Sequence, residues 1–579
     1  MSRCPPRWAP RVGPDSGPEA IAKSHPSPPA ALRLSIAGWA IAALAGCGSA
    51  PSPSPTSTGN APALLDDLGT LHRDTGTHVP GAQRYFDQGL RLAYGFNHEA
   101  AGRAFAEAAR LDPACAICVW GQALVLGPNI NLPMDPAHAA EATRLARRAR
   151  ALAASARPAD RALIEALQHR YADPAPADRK PLDVAYARAM ADVVQRFPND
   201  NDAATLYAEA LMDLSPWAYW NADGSPSGHT PALVAALEGV LARNPSHIGA
   251  IHYYIHAVEA SPNPARAERH ADRLADLAPG AGHLVHMPAH TYIRVGRYHD
   301  ATLTNLRASK ADQAFLSFCR GSNGVYPLGY VPHNWHFAAM TAGLHGSSML
   351  ALEAADQAAK RADPERLEQL SFMQLFIATP LYAQVRFGRW ESVLATPHAP
   401  ADLPYPRGVW HFARGMAYAR TQRLAESALE LAALEAVLRE PALARTPLWD
   451  INPADRVLAV AVPMLRGELA LARGDQATGL AALREAVAAE DRLAYNEPAD
   501  WPLPVRPYLG AALLAAGHAD EAAAVYRADL TKYPENGWSL RGLAQAQRRI
   551  GDMAAATNSE RRLAEAWQWA DTPLTASRF

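Results

Sequence analysis

Ala82–Pro113 reads AQRYFDQGLRLAYGFNHEAAGRAFAEAARLDP. Tyr85, Gly89, Ala101, Phe105, Ala108 and Pro113 stand where an antiparallel pair of helices needs them, with the turn in Tyr94–Glu99. The small residues let the two helices approach closely, Phe105 fills the space between them, and Pro113 stops the second helix. The pattern returns at Leu509-Gly510, Ala522, Tyr526 and Pro534. Weaker copies centre on Gly415/Tyr418 and Gly467/Leu483, and another uses Trp538, Gly542 and Ala554. Asp112-Pro113 and Tyr533-Pro534-Glu535-Asn536 read as turns between units. The pattern covers most of residues 64–570 and is broken by two Gly-, Pro- and aromatic-rich insertions, Ser215–Thr230 and Ser317–Val331, which read as loops folding back over a surface.

The motif resembles the tetratricopeptide-repeat (TPR) superfamily, and specifically exported bacterial TPR proteins. That resemblance implies an all-α, TPR-type α-solenoid with loop insertions over residues 64–579, offering a groove but no particular reaction. Composition agrees. The chain of 579 residues is too long for one compact core, so it divides into domains or forms one elongated repeat array. Hydrophobic residues make up 49%, enough for extensive burial. The formal net charge is −2, with no basic stripe, so a nucleic-acid partner is not expected.

Residues 248–281 and 282–315 align as consecutive 34-residue units, pairing Ala267 with Ala301. The first unit carries His252, His256 and Glu259, whose spacings of four and three place them on one helix face. The second carries His283, His286 and His290; adding 34 to 252 and 256 gives 286 and 290. A third unit, offset by 50 so that Gly346 matches Gly296, maps His283 onto His333 and His286 onto His336. Seven histidines and a glutamate thus share a register at about 248–345, along the stripe that resembles the concave, ligand-facing side of TPR proteins. Packed helices lie about 8–10 Å apart, so imidazoles from neighbours can meet at one metal. Pro288 interrupts the second run, so it reads as the first helical residue with His283 and His286 in the entry, and Pro332 similarly precedes His333. His98, His270, His299 and His345 read as surface or satisfied core residues.

Imidazole-rich sites with one carboxylate suit Zn, Cu, Fe or Ni rather than Ca or Mg. One or two ions would fit, with Glu259 as a ligand or as a catalytic base on metal-bound water. An open coordination position would give a metal-dependent hydrolase or oxidoreductase. The same histidines also fit a hydrogen-bonded polar network or a pH-sensitive clamp on a peptide or protein ligand, which would make the chain an interaction scaffold without catalysis. The segments His252–Glu259, Gly280–Arg297 and Tyr330–Phe337 look like a signature recurring within a TPR subgroup.

Arg33 precedes an apolar run, Leu34–Leu44, too short to span a bilayer, followed by Leu44-Ala45-Gly46-Cys47. This resembles the bacterial lipobox, in which the cysteine is lipidated. Residues 1–47 therefore read as a signal peptide, 48–63 as a flexible Ser/Pro/Thr/Gly tether, and the mature chain as lipid-anchored in the cell envelope, periplasmic or at the outer membrane. Residues 1–30 are long and Pro-rich for such a leader, and the true start fits a position downstream of Met1. Cys115-Ala116-Ile117-Cys118 lacks the histidine of a haem-attachment motif and the context of a thioredoxin motif; it fits either a local disulfide or two buried helical cysteines. Cys319 is left without an assigned partner.

Asn129 and Asn131 in Gly127-Pro128-Asn129-Ile130-Asn131 fit ligand contact or ordinary turn chemistry. Glu209 and Asp213 fit an extension of the histidine site or, more simply, a solvated helix face. Asn496–Pro502 (NEPADWP) reads as a Pro-stiffened connection between repeats. No phosphate-binding glycine loop, nucleophile elbow or HExxH motif stands in a convincing context.

Overall fold

The computed structural model describes residues 61–579, apart from 319–323, 368–369, 401 and 450. The signal peptide and lipobox with Cys47, most of the tether, and Cys319 lie outside the described residues. Among the described residues no helix is long and apolar enough to cross a membrane.

The chain is a TPR-type α-solenoid of stacked antiparallel helix pairs. Helix α1 (Pro80–Tyr94) packs on α2 (His98–Leu111), and α2 on α3 (Ala116–Leu124). Asn97 caps α2 by accepting from the Ala100 backbone N–H. The repeat works by one steric device. Phe105 lies between Gly89 and Gly121, and a Cβ at either glycine would overlap the ring. Tyr526 is held the same way between Gly510 and Gly542. The two ends of the array thus close their helix pairs around one buried aromatic each.

Gly510→Val is expected to lower the thermal midpoint, through overpacking worth about 1–3 kcal/mol. Gly239, inside the helix Thr230–Arg243, is the control: the nearest atom to an added Cβ is the flexible Arg243 guanidinium at 3.5 Å. Gly239→Ala should be neutral or stabilising by about 0.5–1 kcal/mol. Equal melting curves for the two variants would refute the account.

The array is not simply elongated. Its C-terminal repeats return to its middle. Tyr298 Oη donates to the Pro534 carbonyl at 2.6 Å, Trp538 Nε1 to the Gly343 carbonyl at 2.9 Å, and Tyr495 Oη to Glu259 at 3.1 Å. Repeat periodicity describes neighbours only, so this closure has no sequence signature.

The middle of the array carries the histidines. Helix α4 (Ile248–Val258) is followed, after the helix Glu268–Leu277, by α5 (Gly282–His286) and α6 (Pro288–Val295). Pro288 is the first residue of α6, as its missing N–H favours, while His283 and His286 lie on their own short helix. Gly296 ends α6 at φ +83°. Next come α7 (Tyr298–Phe318), a π-helical turn at Tyr326–Tyr330, and α8 (Val331–Leu344) with Pro332 in its first turn. Among the described residues the only strands are β1 (Pro447–Leu448) and β2 (Asn452–Pro453), a two-residue antiparallel ladder beside Trp449.

Glu209 and Asp213 occupy neither a solvated face nor the histidine site. Both are buried on the Arg170 guanidinium, which donates to them at 3.1 and 2.8 Å. Cys115 and Cys118 are joined as a disulfide. His270 and His345 are buried and His98 and His299 half-buried; none joins the central histidines, and neither ring nitrogen of His345 has a partner.

Candidate metal centre

Six of the seven in-register histidines converge. His252 and His256 come from α4, His283 and His286 from α5, His290 from α6 and His333 from α8. Ligand-capable atoms lie within 4.8 Å of one another in three groups: His252/His256/His283, His286/His290/His333, and His256/Glu259/His290. His336 belongs to none of these. Its ring packs on Phe376, 5.6 Å between centroids, and faces a separate cavity with Thr379 and Tyr382. The seventh expected ligand is therefore corrected to a core residue.

The hydrogen bonds fix which ring nitrogen carries the proton. The Tyr94 carbonyl only accepts, so His252 Nδ1–H donates to it at 2.6 Å. Glu259 is completely buried, and the adjacent His290 and His256 hold its carboxyl far below the usual range despite burial. As an anion it only accepts: His256 Nδ1–H donates to Oε1 at 2.8 Å and His290 Nδ1–H to Oε2 at 2.6 Å. Asn305 spends its amide donor on the Ala301 carbonyl at 2.8 Å, so its Oδ1 faces His286 Nδ1–H at 2.7 Å. In their neutral forms all four rings then present an unprotonated Nε2 inward. Those of His252 and His256 have no partner, and neither has either nitrogen of His283 nor Nδ1 of His333. The Nε2 atoms of His286 and His290 face one another at 2.9 Å, lone pair to lone pair when both rings are neutral.

The neutral form is favoured at five of these rings for a physical reason. Burial, and then repulsion from neighbouring rings, pulls His252, His283, His286 and His333 well below the ordinary histidine range. Burial also lowers His256.

The stripe is not an open groove. Trp217, from the first insertion, meets the His256 ring at 5.2 Å and donates its Nε1–H to the Ile130 carbonyl. Tyr330, from the second, meets His283 at 4.6 Å, and Asn131 donates to its hydroxyl. Trp449, beside the small ladder, stacks on Phe372 at 4.0 Å and approaches His333. These groups, with Asn496 and Glu497, close a cavity of ≈ 60 Å³ onto which His256, His283, His290 and His333 open. Burial lifts the Glu497 carboxyl to about 7 and leaves its Oε2 unpartnered.

Sequence periodicity missed the outer contributors. Tyr94 and Tyr495 act from outside the histidine units, Asn305 from the second helix of the second unit, and Asn496 and Glu497 make their loop a wall of the site, not merely a connection. Its acidic-aromatic composition was the available signal. Asn131 reaches the cavity, while Asn129 makes an ordinary turn, its Oδ1 accepting from the Asn131 backbone N–H.

No family model matches the chain, and no curated protein matches it in sequence. Among solved structures the chain is similar to a human IFIT1 dimer with m7Gppp-AAAA, at 12% identity over 85% of this chain and 91% of that one, TM-score 0.31. It is also similar to yeast Tom70, at 11% identity over 85% and 92%, TM-score 0.25. A third is the P58(IPK) TPR domain, at 12% identity over 81% and 98%, TM-score 0.20. Likenesses this distant say nothing of ligand or activity.

Proposed function

We propose that the chain is a TPR-type protein built around a buried transition-metal centre, with His286, His290 and His333 as ligands of an ion of the zinc, copper or iron class. The observation that carries this is the 2.9 Å approach of the His286 and His290 Nε2 atoms, each already committed by its Nδ1–H to another acceptor. Two facing lone pairs repel unless something positive lies between them. Metal–imidazole bonds of about 2.0–2.1 Å put cis nitrogens about 3 Å apart. Six imidazoles beside one carboxylate form a donor set for Zn, Cu or Fe rather than Ca or Mg.

His286, His290 and His333 would hold such an ion, which would supply Lewis-acid or redox chemistry beside the cavity. The chain's own residues orient the rings through Tyr94, Glu259 and Asn305, and they exclude bulk water with Trp217, Tyr330 and Trp449. Glu259 has both oxygens engaged by histidines, which suits an orienting carboxylate better than a base on water. The lipobox-like Leu44–Cys47 supports a place in the cell envelope, tethered to the bilayer through lipidated Cys47.

The second reading is an extra proton shared between His286 and His290, with ionised Glu259 as counter-charge. A peptide clamp has less support, because the rings are buried behind aromatic side chains.

Metal content separates these readings. The exported chain, purified without an affinity histidine tag, is expected to carry at least one equivalent of Zn, Cu or Fe. The His286→Ala/His290→Ala variant should lose one equivalent with helicity retained. A metal-free wild type that also takes up no ion on reconstitution would leave the proton-sharing reading.

A further inference from the structure

Resting on that reading, we infer that the cluster is dinuclear, with a second ion held by His252, His256 and His283 and Glu259 serving as the outer carboxylate of both sites. The second triad has its own evidence. The Nε2 atoms of His252 and His256 are buried and unpartnered, and their Nδ1–H groups are locked on the Tyr94 carbonyl and on Glu259. His283 has neither ring nitrogen partnered, although the ring is almost completely buried. Leaving a buried polar atom unpaired costs about 1–3 kcal/mol, and one such atom from each of the three histidines converges within 4.8 Å. An ion among them would satisfy three at once.

The two triads adjoin. His256 meets His290 at 5.1 Å between ring centroids, and His283 meets His286 at 5.6 Å. Glu259 bonds one histidine of each triad, Oε1 to His256 and Oε2 to His290, so one anion sets the tautomer on both sides. The cavity is lined by two ligands from each triad, His256 and His283 from one and His290 and His333 from the other. The cavity thus offers both ions access to the same space, where a small ligand would reach either.

Titration of the metal-free full chain with Zn(II), followed by metal analysis, is expected to give two equivalents. His252→Ala and, from a different helix, His283→Gln should each retain one equivalent, and His286→Ala should retain the other. Circular dichroism checks that each variant is folded, and two variants in the second triad guard against one misfolding. In Cu(II)-loaded wild type the paramagnetic resonance signal should account for far fewer spins than copper atoms, because neighbouring ions couple. The one-ion variants should recover about one spin per copper.

A single equivalent in the wild type would overturn the dinuclear site and leave the proposed centre standing. Loss of all metal from His252→Ala and His286→Ala alike would mean one shared centre and overturn it too. Two fully uncoupled spins would refute the common cavity. No metal in any form would take down the underlying reading as well.

Discussion

Glu259→Ala is expected to weaken metal binding by about 10–100-fold at each triad it serves, while the chain remains helical. The reason is tautomeric. Glu259 holds the Nδ1 protons of His256 and His290, which keeps both Nε2 lone pairs directed inward. Without the carboxylate each ring can move its proton to Nε2, where it blocks an ion. Glu259→Gln gives an intermediate expectation. A carboxamide has one acceptor oxygen, so it satisfies one histidine and turns an N–H toward the other. Competition with a chelator of known affinity, carried out on wild type and both variants, measures this. Equal affinities for all three would show that Glu259 does not orient the ligands. Loss of a hydrolytic or oxidative activity at unchanged metal affinity would instead return Glu259 to the role of a base.

The helix pairs and the histidine register were legible in the sequence because both repeat. Gly89 and Phe105, or Gly510 and Tyr526, recur because each pair must close around one aromatic. The 34-residue spacing carried His252 and His256 onto His286 and His290, and those four do converge. Extrapolation broke at His336. The offset of 50 matched positions across an insertion, but α8 leaves a π-helical turn, and that sets its rotational phase. His333 and Phe337, four apart, face the cluster: Phe337 packs on His286 and His290 at 5.2 and 5.0 Å. His336 lies on the adjoining face. The insertions that carry Trp217 and Tyr330 read as loops over a surface, but the walls from Trp449 and Tyr495–Glu497 were not legible because they depend on closure of the superhelix. Tyr495 reaches Glu259 across 236 positions, and no local pattern encodes such a contact. Chemical roles were the least legible part, since a buried Glu259 between two histidines has the same sequence whether it binds, bases or orients.

The metal-free protein is expected to lose stability as pH falls below about 6.5, by a few kcal/mol at pH 5.5. Six rings drive this. Burial is the first cause that holds His252, His256, His283, His286, His333 and His336 below the ordinary histidine value, with His336 at about 4. The unfolded chain protonates these rings below about 6.5 while the folded chain does not. Their contribution is therefore full above that pH and is lost on acidification, about 1 kcal/mol per ring at pH 5.5. Four carboxyls oppose it. Burial raises Asp312 and Glu497 to about 7, and Asp500 and Asp529 to about 6. Each is protonated in the folded chain while still ionised in the unfolded one, so each stabilises on acidification from neutrality, by roughly 1 kcal/mol. Burial also lowers His98, His270, His299 and His345 and raises Glu209 and Asp213, and ten rings against six carboxyls leaves a net loss. Denaturant titrations at pH 7 and 5.5, in the presence of chelator, measure it. His283→Phe removes one ring without opening a cavity and should shrink the difference by about 1 kcal/mol. Zinc-loaded protein should hold its stability further into acid, because an ion on the Nε2 atoms denies them to protons until protons displace it. Identical pH profiles with and without zinc would mean that the rings titrate free of any ion, and the centre would have to be abandoned.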